Sequence, residues 1–353
     1  MASSSARESS SPDAGLRPRL SPDALRHWLD RKGEPAYRFA QIGAWLYGRG
    51  VGSFEAMSDL PRDLRESLSA DFGLPELPVT EVSRSVDGTR KFLFRLPEHH
   101  AVESVLIPDP PRLTLCISSQ AGCAMGCAFC ATARLGLGRH LTVDEIVGQV
   151  LAVRRQFAPE ERLTNIVFMG MGEPLHNFDA VKAAIGILTA PWGCSISPRR
   201  ITVSTVGLVP QMERLMAETS VNLAVSLIAP TDEQRDRLVP LNRKYSLSSL
   251  LAACRRLPIP HRRRITFEYV LLAGVNDSLV DAGRLVHLLH GVRCKVNLIP
   301  FNPFPGSGFE RPSDETVELF RRHLDDAHVH ASVRQSRGRD VAAACGQLAA
   351  ASA

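Results

Sequence analysis

From Leu113 onward the chain repeats one pattern, a short apolar run followed by an amphipathic one. Strand-like runs fall at 113–118, 164–170, 200–205, 221–228, 265–271, 294–300 and 329–334. Helix-like runs fall between them at 142–156, 178–189, 208–218, 246–256, 279–289 and 314–325. A spacing near 30 residues fits successive βα units joined by right-handed crossovers. Such a series buries its strands as a parallel sheet with helices outside. The clear units are too few for a closed eight-stranded barrel. No Gly-x-Gly-x-x-Gly opens a helix after the first strand, which argues against a doubly wound dinucleotide-binding sheet. The expectation is an α/β fold, a partial (β/α)6 TIM-like barrel.

The rest of the chain divides around that core. Residues 1–19 are Ser-rich, with mixed charges and no apolar period, and are expected to be disordered. Residues 20–75 read as a small helical domain. Its helices are expected at Pro22–Asp30 with Ser21 as N-cap, at Tyr37–Gly48 and at Leu60–Ala70. Trp28, Tyr37, Phe39, Trp45, Tyr47 and Phe54 fit its core, and any left exposed could meet RNA. Residues 76–112 form a strand-rich extension. Thr89–Arg95 alternates, Asp87-Gly88 signals a hairpin turn, and Ala101–Ile107 continues the pattern. The barrel is expected over 113–348.

Composition removes several classes. No apolar run approaches the ~18 residues that a membrane-spanning helix needs, and the first residues do not read as a signal peptide. Eight cysteines in 353 residues are too few for a disulfide scaffold. A reduced, cytoplasmic protein is the expectation. The net charge of +5 permits a nucleic-acid partner without establishing one.

The cysteines are not evenly spread. Cys123, Cys127 and Cys130 form C-x3-C-x2-C on one short loop of small residues. Three thiolates so placed can hold three corners of a cubane iron–sulfur cluster, leaving the fourth iron open to a ligand. Structural zinc would want a second C-x2-C pair or a suitably spaced His, and neither is present. A cluster that only carries electrons would want a fourth cysteine.

This motif, following a strand at the head of a parallel core, resembles the radical S-adenosylmethionine enzymes. The likeness narrows further. Cys116-Ile-Ser-Ser-Gln-Ala-Gly-Cys123, Gly170-Met-Gly-Glu-Pro174, Ala224-Val-Ser-Leu227, Phe301-Asn-Pro-Phe-Pro-Gly306 and Ala343-Ala-Cys-Gly-Gln-Leu348 occur in order. Together they resemble the radical-SAM ribosomal RNA adenine-C2 methyltransferases over roughly residues 20 to 350. The family modifies adenine 2503 of 23S rRNA, and some members modify adenine 37 of tRNA.

The resemblance implies a set of roles. Cys123, Cys127 and Cys130 would hold one 4Fe–4S cluster. Gly172, Glu173, Ser204, Ser226, Leu227, Ile228 and Asn302 would contact S-adenosylmethionine, used twice per turnover. Cys345 would carry the methyl group, Cys116 would resolve a thioether adduct through a disulfide, and Glu103 would accept a proton. Cys194, Cys254 and Cys294 are left with structural roles. The implied partners are 23S rRNA, tRNA, an electron donor such as flavodoxin or ferredoxin, and a thiol reductant. No membrane is implied, and the chain is expected to act as a monomer. One departure stands out: the family commonly has Ser-Leu-His-Ala where this chain has Ser226-Leu-Ile228-Ala. Two other readings stay open, a sister enzyme methylating carbon 8 of the same adenine and a non-catalytic iron–sulfur RNA-binding protein. Arg262, Arg263 and Arg264 beside His261 are proposed RNA contacts.

Overall fold

The computed structural model describes residues 20–74 and 76–350; the stretch 1–19, expected to be disordered, lies outside the described residues. Contacts divide the chain into two compact units, meeting in sequence between Glu76 and Leu77.

The first unit is helical. Its first helix, Pro22–Lys32, starts where Ser21 Oγ accepts the Ala24 N–H at 3.2 Å and Pro22 fills the first turn. It stops at Gly33, whose φ of 68° is a left-handed cap. The second helical run is α-helical over Tyr37–Gly43 and continues as a π-helix over Ala44–Arg49. The third is Arg62–Asp71, starting just after Pro61. Leu25, Trp28, Ile42, Leu46 and Leu68 are buried between them, and the Trp28 indole N–H donates to Asp71 at 2.7 Å. Of the aromatics, Trp28, Phe39, Tyr47 and Phe54 are core residues, while Tyr37 is 59% exposed.

The second unit is built on one ten-stranded sheet. In chain order its strands are β1 (Val79–Arg84), β2 (Arg90–Arg95), β3 (Ala101–Asp109), β4 (Arg112–Cys116), β7 (Asn165–Phe168), β8 (Ile201–Thr205), β9 (Asn222–Ser226), β10 (Ile265–Leu271), β11 (Cys294–Pro300) and β12 (Ala331–Val333). The short β5 (Gln120–Gly122) and β6 (Leu137–His140) pair separately as an antiparallel hairpin. β1 to β4 run antiparallel, so the strand-rich extension is continuous with the sheet of the barrel. From β4 to β12 every neighbouring pair is parallel, and the order in space follows the order in sequence. A doubly wound sheet would reverse its order at a switch point; this one never does. It is a singly wound partial barrel, as expected.

Helices Val143–Arg154, Phe178–Thr189, Val209–Glu218, Leu247–Arg256, Leu279–Leu289 and Asp314–Asp326 fill the crossovers. Thr142 and Glu145 form a full capping box at the first of them. Several expected strands are shorter than their apolar runs: 113–118 ends as a strand at Cys116 and 329–334 is a strand only over Ala331–Val333, and two more stop at a visible turn. The run 164–170 ends as a strand at Phe168, because the next residues turn into a glycine loop. The run 221–228 ends at Ser226, because Ile228 adopts φ 70°. Among the described residues two α-helices are additional, the single turn Ala131–Arg134 and Asp232–Leu238; the sequence of the latter is almost wholly polar and gives no apolar period.

The lumen departs from a packed TIM barrel, whose interior is filled by branched apolar side chains. Thr114, Asn165, Thr202, Thr266, Lys295 and Asn297 line a cavity within it. The interior is therefore polar below the site and apolar outside, where Phe267, Leu298 and Phe320 are buried.

Candidate active site

The three clustered cysteines sit at the end of the barrel where its parallel strands terminate, the end at which barrel enzymes place their chemistry. β4 ends at Cys116, and β5 leads directly into Cys123. The loop that follows is tied down by its own backbone. The Cys123 N–H donates to the Gly136 carbonyl at 2.7 Å, Ala128 to Leu238 at 3.0 Å, and Ala131 to Gly346 at 2.8 Å. Cys123, Cys127 and Cys130 all line one cavity. Burial pushes each thiol up, Cys123 to about 12, and each is raised further by its neighbours' charge. Three buried thiols crowded this closely resist ionisation by themselves. A multivalent cationic centre would reverse that, so the donor set fits an iron–sulfur cluster.

The same cavity is walled by Gly172, Glu173, Ser204, Ser226, Ile228, Asn302 and Cys345. The loop Gly170–Pro174 can lie there only because of its glycines. A Cβ on Gly170 would fall 2.7 Å from the Ile117 carbonyl, and one on Gly172, where φ is 95°, 2.5 Å from Gln120. Glu173 is buried, and its two oxygens accept the N–H groups of Leu175 at 3.0 Å and Val206 at 2.9 Å. Burial still outweighs these bonds and raises its carboxyl to about 7. A carboxylate so placed favours a cationic ligand such as an ammonium. Asn302 is also buried. Its amide N–H donates to the Cys345 carbonyl at 3.3 Å, while its Oδ1 has no hydrogen-bond partner. A bound polar ligand would satisfy that atom.

Not every expected residue shares this wall. The Leu227 side chain is fully buried in the core; what it presents is backbone, its N–H donating to the Glu268 carbonyl at 2.9 Å. Ile228 does face the cavity, although its φ of 70° is rare for a β-branched residue. Its carbonyl is held by the Asn276 amide at 2.6 Å. Cys116 is buried behind the wall. Burial, then the charge of Cys345, push its thiol up to about 12, opposed by Arg334. Glu103, on β3, is ion-paired with Lys91 at 2.9 Å and accepts the Ala349 N–H at 3.1 Å, beneath the C-terminal segment. Arg262, Arg263 and Arg264 precede β10 at the opposite end of the barrel. Arg263 there bonds the carbonyl of Val221 at 3.3 Å, so this cluster is not at the mouth of the site.

The structure adds residues that motif reading passed over. Glu268, on β10, accepts the Ser204 hydroxyl at 2.9 Å and lies 3.8 Å from Arg334. A lone carboxylate inside the apolar run Ile265–Leu271 was the available signal. Arg235 is buried and donates to the carbonyls of Leu227, Val206 and Ser226, pinning the loops after β8 and β9. Gln149 bonds both the N–H and the carbonyl of Ser118, fixing the exit of β4.

Comparison with known proteins agrees with this arrangement. The profile described as the radical SAM superfamily matches residues 117–286, and that of the ribosomal RNA large subunit methyltransferase N-terminal domain matches 19–73. The dual-specificity RNA methyltransferase RlmN of Syntrophobacter fumaroxidans is 52% identical over 92% of this chain and 95% of its own. The protein of the same name from Geobacter sulfurreducens is 54% identical over 93% and 90%. The crystal structure of a radical SAM methyltransferase from Sphaerobacter thermophilus superposes with a TM-score of 0.88 at 47% identity, covering 94% of this chain and 98% of that one.

Proposed function

The chain belongs to the RlmN family of radical S-adenosylmethionine RNA methyltransferases, and from that premise we propose that it methylates carbon 2 of adenine 2503 in 23S rRNA and of adenine 37 in tRNA. The observation that carries the reading is Cys345 on the wall of the cavity that also holds Cys123, Cys127, Cys130 and Glu173.

Carbon 2 of adenine has no acidic proton and little nucleophilicity, so polar methyl transfer to it is disfavoured. Cys123, Cys127 and Cys130 would hold a 4Fe–4S cluster, with Glu173, Ser204, Ser226 and Asn302 around the S-adenosylmethionine. Bound together, these groups supply one electron and a carbon-centred radical. In this reading Cys345 Sγ first accepts a methyl group. After that methyl loses one hydrogen atom, its carbon bonds to carbon 2 of the base. Glu103 takes the carbon-2 proton, which requires the segment at Ala349 to lift from it, and the unpaired electron left on the base would return to the iron–sulfur centre, so that a closed-shell thioether remains. The Cys116 thiolate then attacks Cys345 Sγ; the sulfur–carbon bond breaks, the released carbon takes a proton to complete the methyl group, and a disulfide remains. Arg334 favours the thiolate that this attack needs. A thiol reductant resets the pair, and flavodoxin or ferredoxin is the proposed source of the electron.

The target adenine must leave its stack to reach Cys345 inside the barrel mouth. In the helical unit, Arg38 and Arg49 lie over the rings of Tyr37 and Trp45, at 5.0 and 3.7 Å, and offer stacking surface to RNA. No helix among the described residues is long and apolar enough to cross a membrane, and we place the enzyme in the cytoplasm with its RNA. The test is mass mapping of the two adenines in RNA from cells with and without the gene. Carbon-2 methylation that depends on the gene is expected. Unchanged carbon-2 methylation would contradict the reading, and methyl at carbon 8 would reassign it to the sister chemistry.

A further inference from the structure

The loop Gly170–Pro174, which brings Glu173 to the cavity, is held by the exit of β4 and by β5. Ser119 and Gln120 donate their N–H groups to the Met171 carbonyl at 2.9 and 3.2 Å, and the Met171 N–H donates to the Ser118 hydroxyl at 2.8 Å. Past the loop, the Asn177 amide donates to the carbonyls of Ser119 and Leu141 at 2.9 and 2.8 Å. These bonds fix Met171 and Asn177. Between them, the N–H of Glu173 is taken by a side chain: it donates to Gln120 Oε1 at 2.7 Å.

Gln120 is wholly buried, and the other end of its amide faces two rings. Its Nε2 lies 2.9 Å from Nδ1 of His140, on β6, and 3.1 Å from Nδ1 of His176, in the turn Pro174–Asn177. The two imidazoles meet edge to face, with centroids 5.0 Å apart, and both residues are exposed. The orientation of the amide follows from donors and acceptors. The Glu173 N–H can only donate, so the atom opposite it is the oxygen. The amide nitrogen then has two hydrogens and two ring nitrogens to receive them. Each ring is therefore neutral, with its own proton on Nε2. Partial burial, then the charge of His176, lower His140 from its ordinary value, which favours the neutral ring. Reversing the amide would set N–H against N–H at Glu173 and require both rings to carry their proton on Nδ1.

We propose that Gln120 is a positioning residue for Glu173, locked in one amide orientation by His140 and His176, and that S-adenosylmethionine affinity depends on that lock. Packing alone does not call for glutamine here. Its stem lies against Gly172, where methionine would fill the same space. A buried amide is retained when its hydrogen bonds are made, and this one joins three separate elements. The inference rests on the reading of Glu173 as the contact of the S-adenosylmethionine ammonium.

The experiment uses the full chain with its cluster reconstituted anaerobically. Gln120→Met keeps the volume without the amide, Gln120→Glu keeps an acceptor for Glu173, and His140→Phe with His176→Phe removes the lock. S-adenosylmethionine binding is measured by equilibrium dialysis, and hydrogen exchange over 171–177 is followed without it. Gln120→Met is expected to bind S-adenosylmethionine about tenfold more weakly, raising KM with kcat nearly unchanged, and to lose protection at Glu173. Gln120→Glu should recover affinity to within about threefold, because the rings can take up a proton to face a carboxylate. The double histidine variant should fall between them. Iron content should match wild type throughout, and histidine NMR of wild type should place both ring protons on Nε2. Protons on Nδ1 of both rings would reverse the amide and overturn the proposal. So would wild-type affinity in Gln120→Met, or affinity lost only in step with iron, which would make Gln120 a support of the cysteine loop. Failure of iron-loaded wild type to bind S-adenosylmethionine would instead remove the cofactor reading, and this inference with it.

Discussion

Asp87 Oδ2 accepts the main-chain N–H of Gly338 at 3.0 Å, across 251 residues of sequence. The contact is returned from the other side. Asp340 accepts the Ser85 hydroxyl at 2.6 Å and the Val86 N–H at 3.1 Å. The β1–β2 hairpin thus clasps the segment that leads to Cys345. Burial opposes ionisation of Asp87, yet bonds from Gly338, Thr89 and Ser85 hold its carboxyl at about 2. Its folded value lies below the ordinary 3.8, so the stabilisation is present above pH 3.8 and is lost as pH falls toward 2. Asp87→Ala should cost about 1 kcal/mol at neutral pH, allowing for solvent around the carboxylate. Hydrogen exchange should then accelerate over 338–348. Unchanged protection there would show that the clasp does not order the segment that carries Cys345.

Ile228 places two opposing effects on one residue. Its left-handed backbone costs about 1–2 kcal/mol. Its side chain is 1% exposed and packs with Leu238, Val239 and Phe301, and losing a buried isoleucine costs about 2–5 kcal/mol. Packing wins, so Ile228→Gly should lower the denaturation free energy by about 1–3 kcal/mol despite relieving strain. A rise in urea midpoint would mean that the side chain contributes less than its burial suggests.

Glu173 titrates in the opposite sense to Asp87. Burial holds its carboxyl at about 7, above the ordinary 4.5. The folded cluster-free protein therefore binds more protons between those values. The contribution to stability is complete below pH 4.5 and is lost as pH rises through 7. Glu173→Gln should flatten that part of the pH–stability curve. A wild-type curve already flat between pH 4.5 and 7 would contradict this environment for the carboxylate.

Glu103→Gln keeps the shape but removes the carboxylate proposed as proton acceptor. Methylated RNA should fall about 10²- to 10⁴-fold, while transfer of the first methyl to Cys345, read by peptide mass, continues. Loss of both together would point instead to a structural role through Lys91 and Ala349.

Much of this was legible in the chain. The strand and helix periods gave the parallel core, because alternation and 3.6-residue spacing are local. The cysteine spacing pointed to the loop that lines the cavity for the same reason. What stayed hidden depends on distant residues. Nothing near Asp87 announces Gly338, and nothing in Asp232–Leu238 shows an apolar face, because that helix is held by Arg235 and Asn242 rather than by a hydrophobic stripe. The left-handed Ile228 was invisible because its sequence favours a strand. The position of Arg262–Arg264 at the far end of the barrel needed the strand direction as well as the charge.

The central claim is that Cys345 forms a covalent bond to RNA and Cys116 releases it. Its most direct measurement is mass spectrometry of the Cys116→Ala protein after reaction with S-adenosylmethionine, reductant and a 23S rRNA fragment. The account predicts RNA crosslinked through a methylene bridge to Cys345, with little free product. Free methylated RNA at the wild-type yield, with an unmodified Cys345, would contradict it.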